Sequence, residues 1–85
     1  MSLITGNQLR AARALAEVDQ KWLAEQSGIS VNTIRNMEAR GREAITSGAV
    51  TVRKVQAALE TVGVEFTNGN EPGVKLKRLK TGEGD

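Results

Sequence analysis

The stretch LAEQSGISVNTIRNMEARG, residues 23–41, decides the fold. It begins with the pattern of an amphipathic helix, stops at Ser27 and Gly28, and resumes a helical pattern at once. Because Gly28 adopts a positive φ without steric cost, it predicts the end of the first helix and a tight turn. Ser30 then predicts the N-cap of a second helix. Two short helices bury less than one straight helix, so we expect the corner to present a surface.

The same start pattern occurs four times along the chain. In each case a polar residue that can accept hydrogen bonds from the first turn is flanked by apolar residues at the spacing of a hydrophobic staple. Thr5 and Gln8 also have the spacing of a capping box. The sequence therefore predicts four helices, with N-caps at Thr5, Asp19, Ser30 and Thr51.

One-sided apolar spacing identifies the faces that these helices bury. Residues 41–50 are predicted to form a loop from which Ile45 turns inward, and Gly63 is predicted to end helix 4. The predicted inward positions are Leu9, Ala12, Leu15, Ala16 and Val18 in helix 1, Trp22, Leu23 and Ala24 in helix 2, Ile34 and Met37 in helix 3, and Val52, Val55, Leu59 and Val62 in helix 4.

After Gly63 the apolar residues alternate with period two in residues 64–67 and 74–77, on either side of a segment rich in turn formers. This pattern predicts a β-hairpin that docks on the helices or pairs with another chain, because an isolated hairpin is marginal in water. The predicted fold class is mostly α, a four-helix domain over residues 1–63 followed by a hairpin or extended segment over 64–80. Residues 81–85 are predicted to be a disordered tail.

Composition excludes several functions. The chain has 85 residues, of which 39% are hydrophobic and 26% charged, as expected for one small globular domain. It contains no cysteine and no histidine, so disulfides, thiolate or imidazole zinc sites and the commonest general base are excluded. The sequence also shows no paired-carboxylate cleft and no phosphate-binding glycine loop in the right context. We therefore predict no enzymatic activity, no catalytic residues, no cofactor and no metal.

Charge and hydropathy bear on location and partners. No signal-peptide pattern and no membrane-spanning apolar run is found, which predicts a cytoplasmic protein that does not bind membranes. The net charge is +2, but residues 31–54 hold five basic residues against two acidic ones. Basic patches attract phosphate polyanions, although such a patch is more often only a solvated face.

The helix–turn–helix stretch resembles that of the lambda-repressor-like family, also called the Cro or XRE type. The resemblance covers about residues 5–63 and ends where the hairpin replaces the fifth helix of many family members. In the corner it rests on Gln20, Ala24, Gly28, Ile29 and Ile34. Outside the corner it rests on Leu9-Arg10-x-x-Arg13, Glu38-x-x-Gly41 and Val55-x-x-Ala58-Leu59.

The resemblance implies that helix 3 is a recognition helix, which enters the DNA major groove with its N-terminus first. Residue by residue, it implies base reading by Val31, Asn32, Arg35 and Asn36. It implies phosphate contacts by Gln20, Thr33 and Arg40, with further possible contacts by Arg10, Arg13 and Arg42.

Simpler interpretations stay open for some of these residues. Val31 also suits a position on the rim of the core, and Asn36, Arg10 and Arg13 also suit solvated surface positions. Arg35 and Glu38, three residues apart, have the spacing of a surface ion pair that would contribute little.

The sequence thus predicts a sequence-specific double-stranded DNA-binding protein, a bacterial or phage-type transcriptional regulator. We expect a homodimer, because one small module specifies few base pairs. The predicted dimer surface is the hairpin, with Val64, Phe66, Val74 and Leu76. The alternative is a protein-interaction module, such as the antitoxin of a toxin–antitoxin pair, in which residues 64–80 wrap a protein partner.

Overall fold

A computed structural model describes residues 2–68 and 71–77. Within these residues, four helices precede a two-stranded antiparallel sheet, so the mostly α class with a C-terminal hairpin is confirmed. The predicted disordered tail, 81–85, lies outside the described residues, as do residues 78–80 of the predicted hairpin segment. The elements are α1 (Gly6–Ala16), α2 (Gln20–Ser27), α3 (Val31–Ala39), α4 (Ala49–Glu60), β1 (Val64–Thr67) and β2 (Gly73–Leu76).

Three of the four predicted helix starts are confirmed by their cap hydrogen bonds. The side chain of Thr5 accepts from the backbone of Gln8 at 3.1 Å, and the reciprocal bond completes the capping box. Asp19 accepts at 2.7 Å and Ser30 at 3.1 Å, each from the backbone N–H three residues on. These side chains satisfy amide groups that a helix start leaves without a partner.

The prediction for the fourth helix start is wrong. The N-cap of α4 is Gly48, and Thr51 lies inside the first turn. The carbonyl of Gly48 already accepts the first helical bond, from Val52 N at 3.1 Å. The staple predicted around Thr51 is absent as well, because Val50 is 62% exposed. No side chain caps α4, so its start carries no capping signal that the sequence could have shown.

The core is aliphatic apart from Phe66, and it lies where the four helices and the hairpin meet. Most of the predicted inward positions are buried or packed against it, and Ile45 turns inward from its loop as predicted. Leu15 is the exception, with 42% of its surface exposed. The fully enclosed large side chains are Leu9, Leu23, Ile34, Met37, Val55, Leu59 and Phe66.

The corner between α2 and α3 is built as predicted. Gly28 has a φ of 72°, in the left-handed region. The backbone N–H groups of Gly28 and Ile29 both donate to the carbonyl of Ala24, at 2.9 and 3.2 Å. Ile29 packs against the core. The chain therefore leaves α2 and enters α3 within a few residues, and α3 packs on both α1 and α2.

The hairpin docks on the helices through one face. Val64 pairs with Leu76 and Phe66 with Val74 in the antiparallel register. The two β1 side chains are buried, Val64 at 3% and Phe66 at 1% exposure. The sheet packs against α1 and α4 rather than against α3. The hairpin thus completes the core on the side of α1 and α4, and α3 keeps one face uncovered.

Gln8 joins the start of α1 to the hairpin. Its buried carbonyl oxygen accepts from the backbone of Ile4 at 2.8 Å and of Thr5 at 3.0 Å. Its amide nitrogen donates to the carbonyls of Thr67 at 3.0 Å and Gly73 at 3.1 Å. A residue predicted from its capping role alone therefore also holds the two strands at the turn end of the hairpin.

None of the helices in the described part of the chain combines the length and the apolar character that crossing a membrane requires.

Candidate nucleic-acid interface

α3 has one buried face and one exposed face. Ile34, Met37 and Glu38 point into the protein. Asn32, Arg35, Asn36 and Ala39 are exposed, and their spacing of three and four residues places them in one stripe along the helix. Val31 and Thr33 are half-buried at the margins of the stripe. The four residues predicted to read bases thus lie along or beside one continuous surface of α3.

The orientation of α3 depends on a close approach that the sequence did not reveal. A Cβ atom added at Gly6, the first residue of α1, would lie 2.6 Å from the carbonyl oxygen of Met37, 2.7 Å from Gly41 N and 2.8 Å from the carbonyl oxygen of Glu38. Asn7 N also donates to the carbonyl of Gly41 at 2.8 Å. The start of α1 therefore contacts the backbone at the end of α3 directly.

A partly buried ion pair fixes the same junction. Arg13 of α1 donates from Nε to Glu38 Oε2 at 2.6 Å and from Nη2 to Oε1 at 3.0 Å, a bidentate arrangement. A third bond runs from Nη1 to the carbonyl of Val18 at 3.2 Å. The hydrogen bond to Glu38 raises the pKa of the Arg13 guanidinium above its ordinary value, and partial burial opposes that rise. Arg13 stays charged and links α1, the α1–α2 connection and α3.

Two residues predicted to contact phosphates belong to this junction. Three of the five guanidinium N–H groups of Arg13, one on each nitrogen, bond inside the protein, so Arg13 serves this junction and keeps two N–H groups for a phosphate. Gln20 donates from Nε2 to Glu38 Oε1 at 3.1 Å. One amide hydrogen of Gln20 remains available for another acceptor. The proposed contact by Gln20 is therefore compatible with this bond, and Glu38 orients its amide.

Burial of Glu38 changes the charge that the surface presents. Glu38 is only 6% exposed and bonds to Arg13, so it does not pair with Arg35 at the surface. Between residues 31 and 54, Glu43 is the one acidic residue with an exposed side chain. The basic residues of the same stretch are all exposed, and they are Arg35, Arg40, Arg42, Arg53 and Lys54. The exposed side chains of this stretch thus carry more net positive charge than the sequence count indicates.

The remaining candidate phosphate contacts lie in different settings. Arg40, the C-cap residue of α3, donates from Nε to the carbonyl of Ala44 at 3.0 Å and so braces the loop that follows. Arg42 lines a cleft of about 390 Å³ between α1 and the start of β2. Arg10 is exposed on α1. The hydroxyl oxygen of Thr33 accepts from the Ser30 hydroxyl at 2.9 Å, which leaves the Thr33 hydroxyl proton for another acceptor.

The polar residues of the exposed stripe are partly joined to each other. Arg35 Nη1 donates to Asn32 Oδ1 at 3.3 Å. The side chain of Asn36 makes no hydrogen bond within residues 2–68 and 71–77. Its amide is therefore free to act as both donor and acceptor toward a ligand.

The hairpin residues predicted to form a dimer surface are placed unequally. Val64 and Phe66 lie inside the core of their own chain, so their side chains do not fit a contact with a second chain. Val74 is half-buried, and Leu76 is 44% exposed. Of the four predicted residues, Leu76 is therefore the one whose side chain is openly presented.

The sequence does contain a pattern that indicates the pairing of Arg13 with Glu38, although the predictions above did not use it. Arg13 lies one helical turn after Leu9 and one turn before Ala16, on the face predicted to be inward. Glu38 follows Ile34 by four residues, on the inward face of α3. Opposite charges on two inward faces predict a buried pair, because an isolated buried charge is very costly.

No protein-family model matches this chain, and no curated protein sequence matches it either.

Proposed function

We propose that this chain is a sequence-specific double-stranded DNA-binding protein, a transcriptional regulator of the bacterial or phage type. Its α2–turn–α3 unit would act as a lambda-repressor-like helix–turn–helix, with α3 in the major groove. The observation that carries the proposal is the exposed stripe of α3, which is polar and basic and has no exposed acid on the same helix. A helix of this size fits the major groove, where amide and guanidinium groups hydrogen-bond to base edges.

In this proposal the work is divided between two groups of side chains. The base edges are met by side chains from the first six residues of α3, namely Val31, Asn32, Arg35 and Asn36. Phosphates on either side of the groove are contacted by Gln20, Thr33, Arg40, Arg42 and Arg10. The junction at Gly6 and the Arg13–Glu38 pair hold α3 in a fixed orientation, which a base-reading helix needs. The protein then acts by occupying its site, without catalysis and without a cofactor.

Dimerisation is part of the proposal, because two modules read half-sites about one helical turn apart. Leu15 of α1 and Leu76 of β2 are exposed, and these two elements pack against each other. On α1, Leu15 is two residues, or about 200° of helix rotation, from Arg13, which points toward α3. A second copy placed against Leu15 and Leu76 would therefore leave both α3 stripes free.

The antitoxin alternative gains no support from the hairpin. An antitoxin segment that waits for a toxin is expected to lack a place in the core of its own chain. Here β1 contributes Val64 and Phe66 to the core, and Gln8 bonds to both ends of the turn. A hairpin in this position stabilises its own domain.

Selection of bound duplexes from a random DNA pool tests the proposal. We expect a two-fold symmetric consensus. Asn32→Ala should then weaken binding to that consensus by about 1–3 kcal/mol and relax the preference at one position in each half-site. Equal loss on all sequences would make Asn32 a phosphate contact, and no enrichment from the pool would contradict sequence-specific binding.

The salt dependence of binding tests the phosphate contacts separately. Arg40→Gln should reduce the slope of log affinity against log salt by about 1, because one fewer counterion is released. Lys75→Gln is the matched control, since Lys75 lies on the hairpin, pairs with Glu65 at 3.4 Å and is remote from α3. Equal slopes for wild type and Arg40→Gln would show that Arg40 contacts no phosphate.

A further inference from the structure

The inference concerns which base the stripe of α3 reads, and it rests on the proposed function. Its starting point is the hydrogen bond from Arg35 Nη1 to Asn32 Oδ1, at 3.3 Å between two exposed side chains one helical turn apart. This bond engages the carbonyl oxygen of Asn32. The amide hydrogens of Asn32 and the other guanidinium hydrogens of Arg35 have no partner within the described ranges, 2–68 and 71–77. The pair therefore offers mainly donors.

The excess of hydrogen-bond donors on this pair matters because adenine and guanine present different groups in the major groove. Adenine presents one acceptor and one donor in the major groove, so bidentate pairing with asparagine needs both the amide group and the carbonyl oxygen. Guanine presents two acceptors, N7 and O6. Arg35 already occupies one of the two lone pairs of the Asn32 carbonyl oxygen, whereas guanine makes no demand on that oxygen. A joined Asn32–Arg35 pair thus matches guanine better than adenine.

No exposed carboxylate on α3 corrects the imbalance. Glu38 is the single acid of α3, and its carboxylate is buried and held by Arg13 and Gln20. It is therefore unavailable to accept from the amino groups of cytosine or adenine. The stripe beside the pair adds one further amide, Asn36, and Ala39, which has no polar side chain.

We infer that Asn32 and Arg35 act as one unit that reads guanine. In this unit Arg35 donates to guanine N7 and O6, and Asn32 is a positioning residue that holds the guanidinium through its carbonyl oxygen. The Asn32 amide hydrogens then donate to an acceptor on the neighbouring base. Removing Arg35 would take away the guanidinium that matches guanine and free both lone pairs of the Asn32 carbonyl oxygen, so the remaining amide would match adenine.

Selection from a random duplex pool with wild-type chain and with Arg35→Met tests the unit. The half-site position whose preference changes between the two proteins identifies the base under the pair. We expect guanine there for wild type, and adenine or a relaxed preference for Arg35→Met. Arg53→Met, an exposed arginine of α4, is the matched control and should keep guanine. Circular dichroism checks that both variants keep their helices.

Modified bases at that position test which atoms of guanine the pair contacts. Replacing guanine by 7-deazaguanine removes the N7 acceptor and should weaken wild-type binding roughly tenfold or more. Inosine keeps N7 and O6 and should bind like guanine. Asn32→Ala should reduce the 7-deazaguanine effect, because Arg35 loses its support.

The outcomes separate this inference from the proposed function. Sequence-specific binding with adenine at the Arg35-dependent position, or with no 7-deazaguanine effect, would overturn the guanine unit and leave DNA binding intact. An unchanged consensus for Arg35→Met would overturn it as well. A wild-type chain that enriches no duplex would overturn both.

Discussion

At position 6, a hydrogen atom in place of Cβ lets α1 approach the end of α3. Gly6→Ala would place a methyl group within 2.8 Å of three backbone atoms, none of which can swing away as a side-chain tip would. We expect this variant to lose about 2 kcal/mol or more in free energy of unfolding, measured by urea denaturation. Helix propensity favours alanine by less than this.

Gly48→Ala is the control for Gly6→Ala. Gly48 has a φ of −61° and nothing within 4 Å of an added Cβ, so we expect a loss below about 1 kcal/mol. Equal losses for the two variants would contradict the close contact at Gly6. The sequence revealed Gly28, because a turn needs positive φ, but not Gly6. The need for a glycine there comes from a neighbour that is distant along the chain.

At the scale of elements, the Arg13–Glu38 pair joins α1 to α3. Arg13→Met removes one partner and leaves a carboxylate in a site where its side chain is 7% exposed. We expect a loss of about 2–4 kcal/mol, below the range for fully dry pairs because 21% of the Arg13 side chain is exposed. Urea denaturation measures the loss, and the same variant should bind DNA more weakly.

Arg10→Met is the matched control on the same helix. Arg10 is exposed, so its replacement should change the free energy of unfolding by at most about 0.5 kcal/mol. The double variant Arg13→Met with Glu38→Met should lose less than the sum of the single losses, since neither charge is then left alone. Additive losses would contradict a direct pair.

The sequence predicted all four helices but only three of their starts. Thr5, Asp19 and Ser30 are local signals, because the cap and the amide it satisfies lie three residues apart. The N-cap residue of α4 is Gly48, which has no side chain to form a cap, so local pattern placed the N-cap three residues too late, at Thr51. The link by Gln8 joins the start of α1 to the distant hairpin, and no short-range pattern specifies it.

At the scale of the whole molecule, the open question is how two copies meet. If Leu76 lies in a dimer contact, Leu76→Glu should convert a dimer to a monomer in sedimentation equilibrium, because it places a charge in an apolar interface. Val50→Glu is the control, since Val50 is also an exposed apolar residue, at 62%, but lies on α4. A wild-type monomer at high micromolar concentration, with and without DNA, would contradict the dimer.

The overall architecture was more predictable than its interfaces. Apolar periodicity and turn residues located four helices and a hairpin, because each signal is local. Alternation identified the apolar face of the hairpin, but it does not say whether that face packs on the helices or on a second chain. Val64 and Phe66 were therefore assigned to a dimer surface and lie in the core instead.

The central claim is that the exposed stripe of α3 contacts DNA. The most direct measurement is an NMR titration of the full, isotope-labelled chain with a selected duplex, following backbone and side-chain amides. We predict that the largest shifts occur at Val31, Asn32, Arg35 and Asn36, with smaller shifts near Gln20 and Arg40. Unshifted α3 resonances, with the largest changes confined to β1 and β2, would contradict the account.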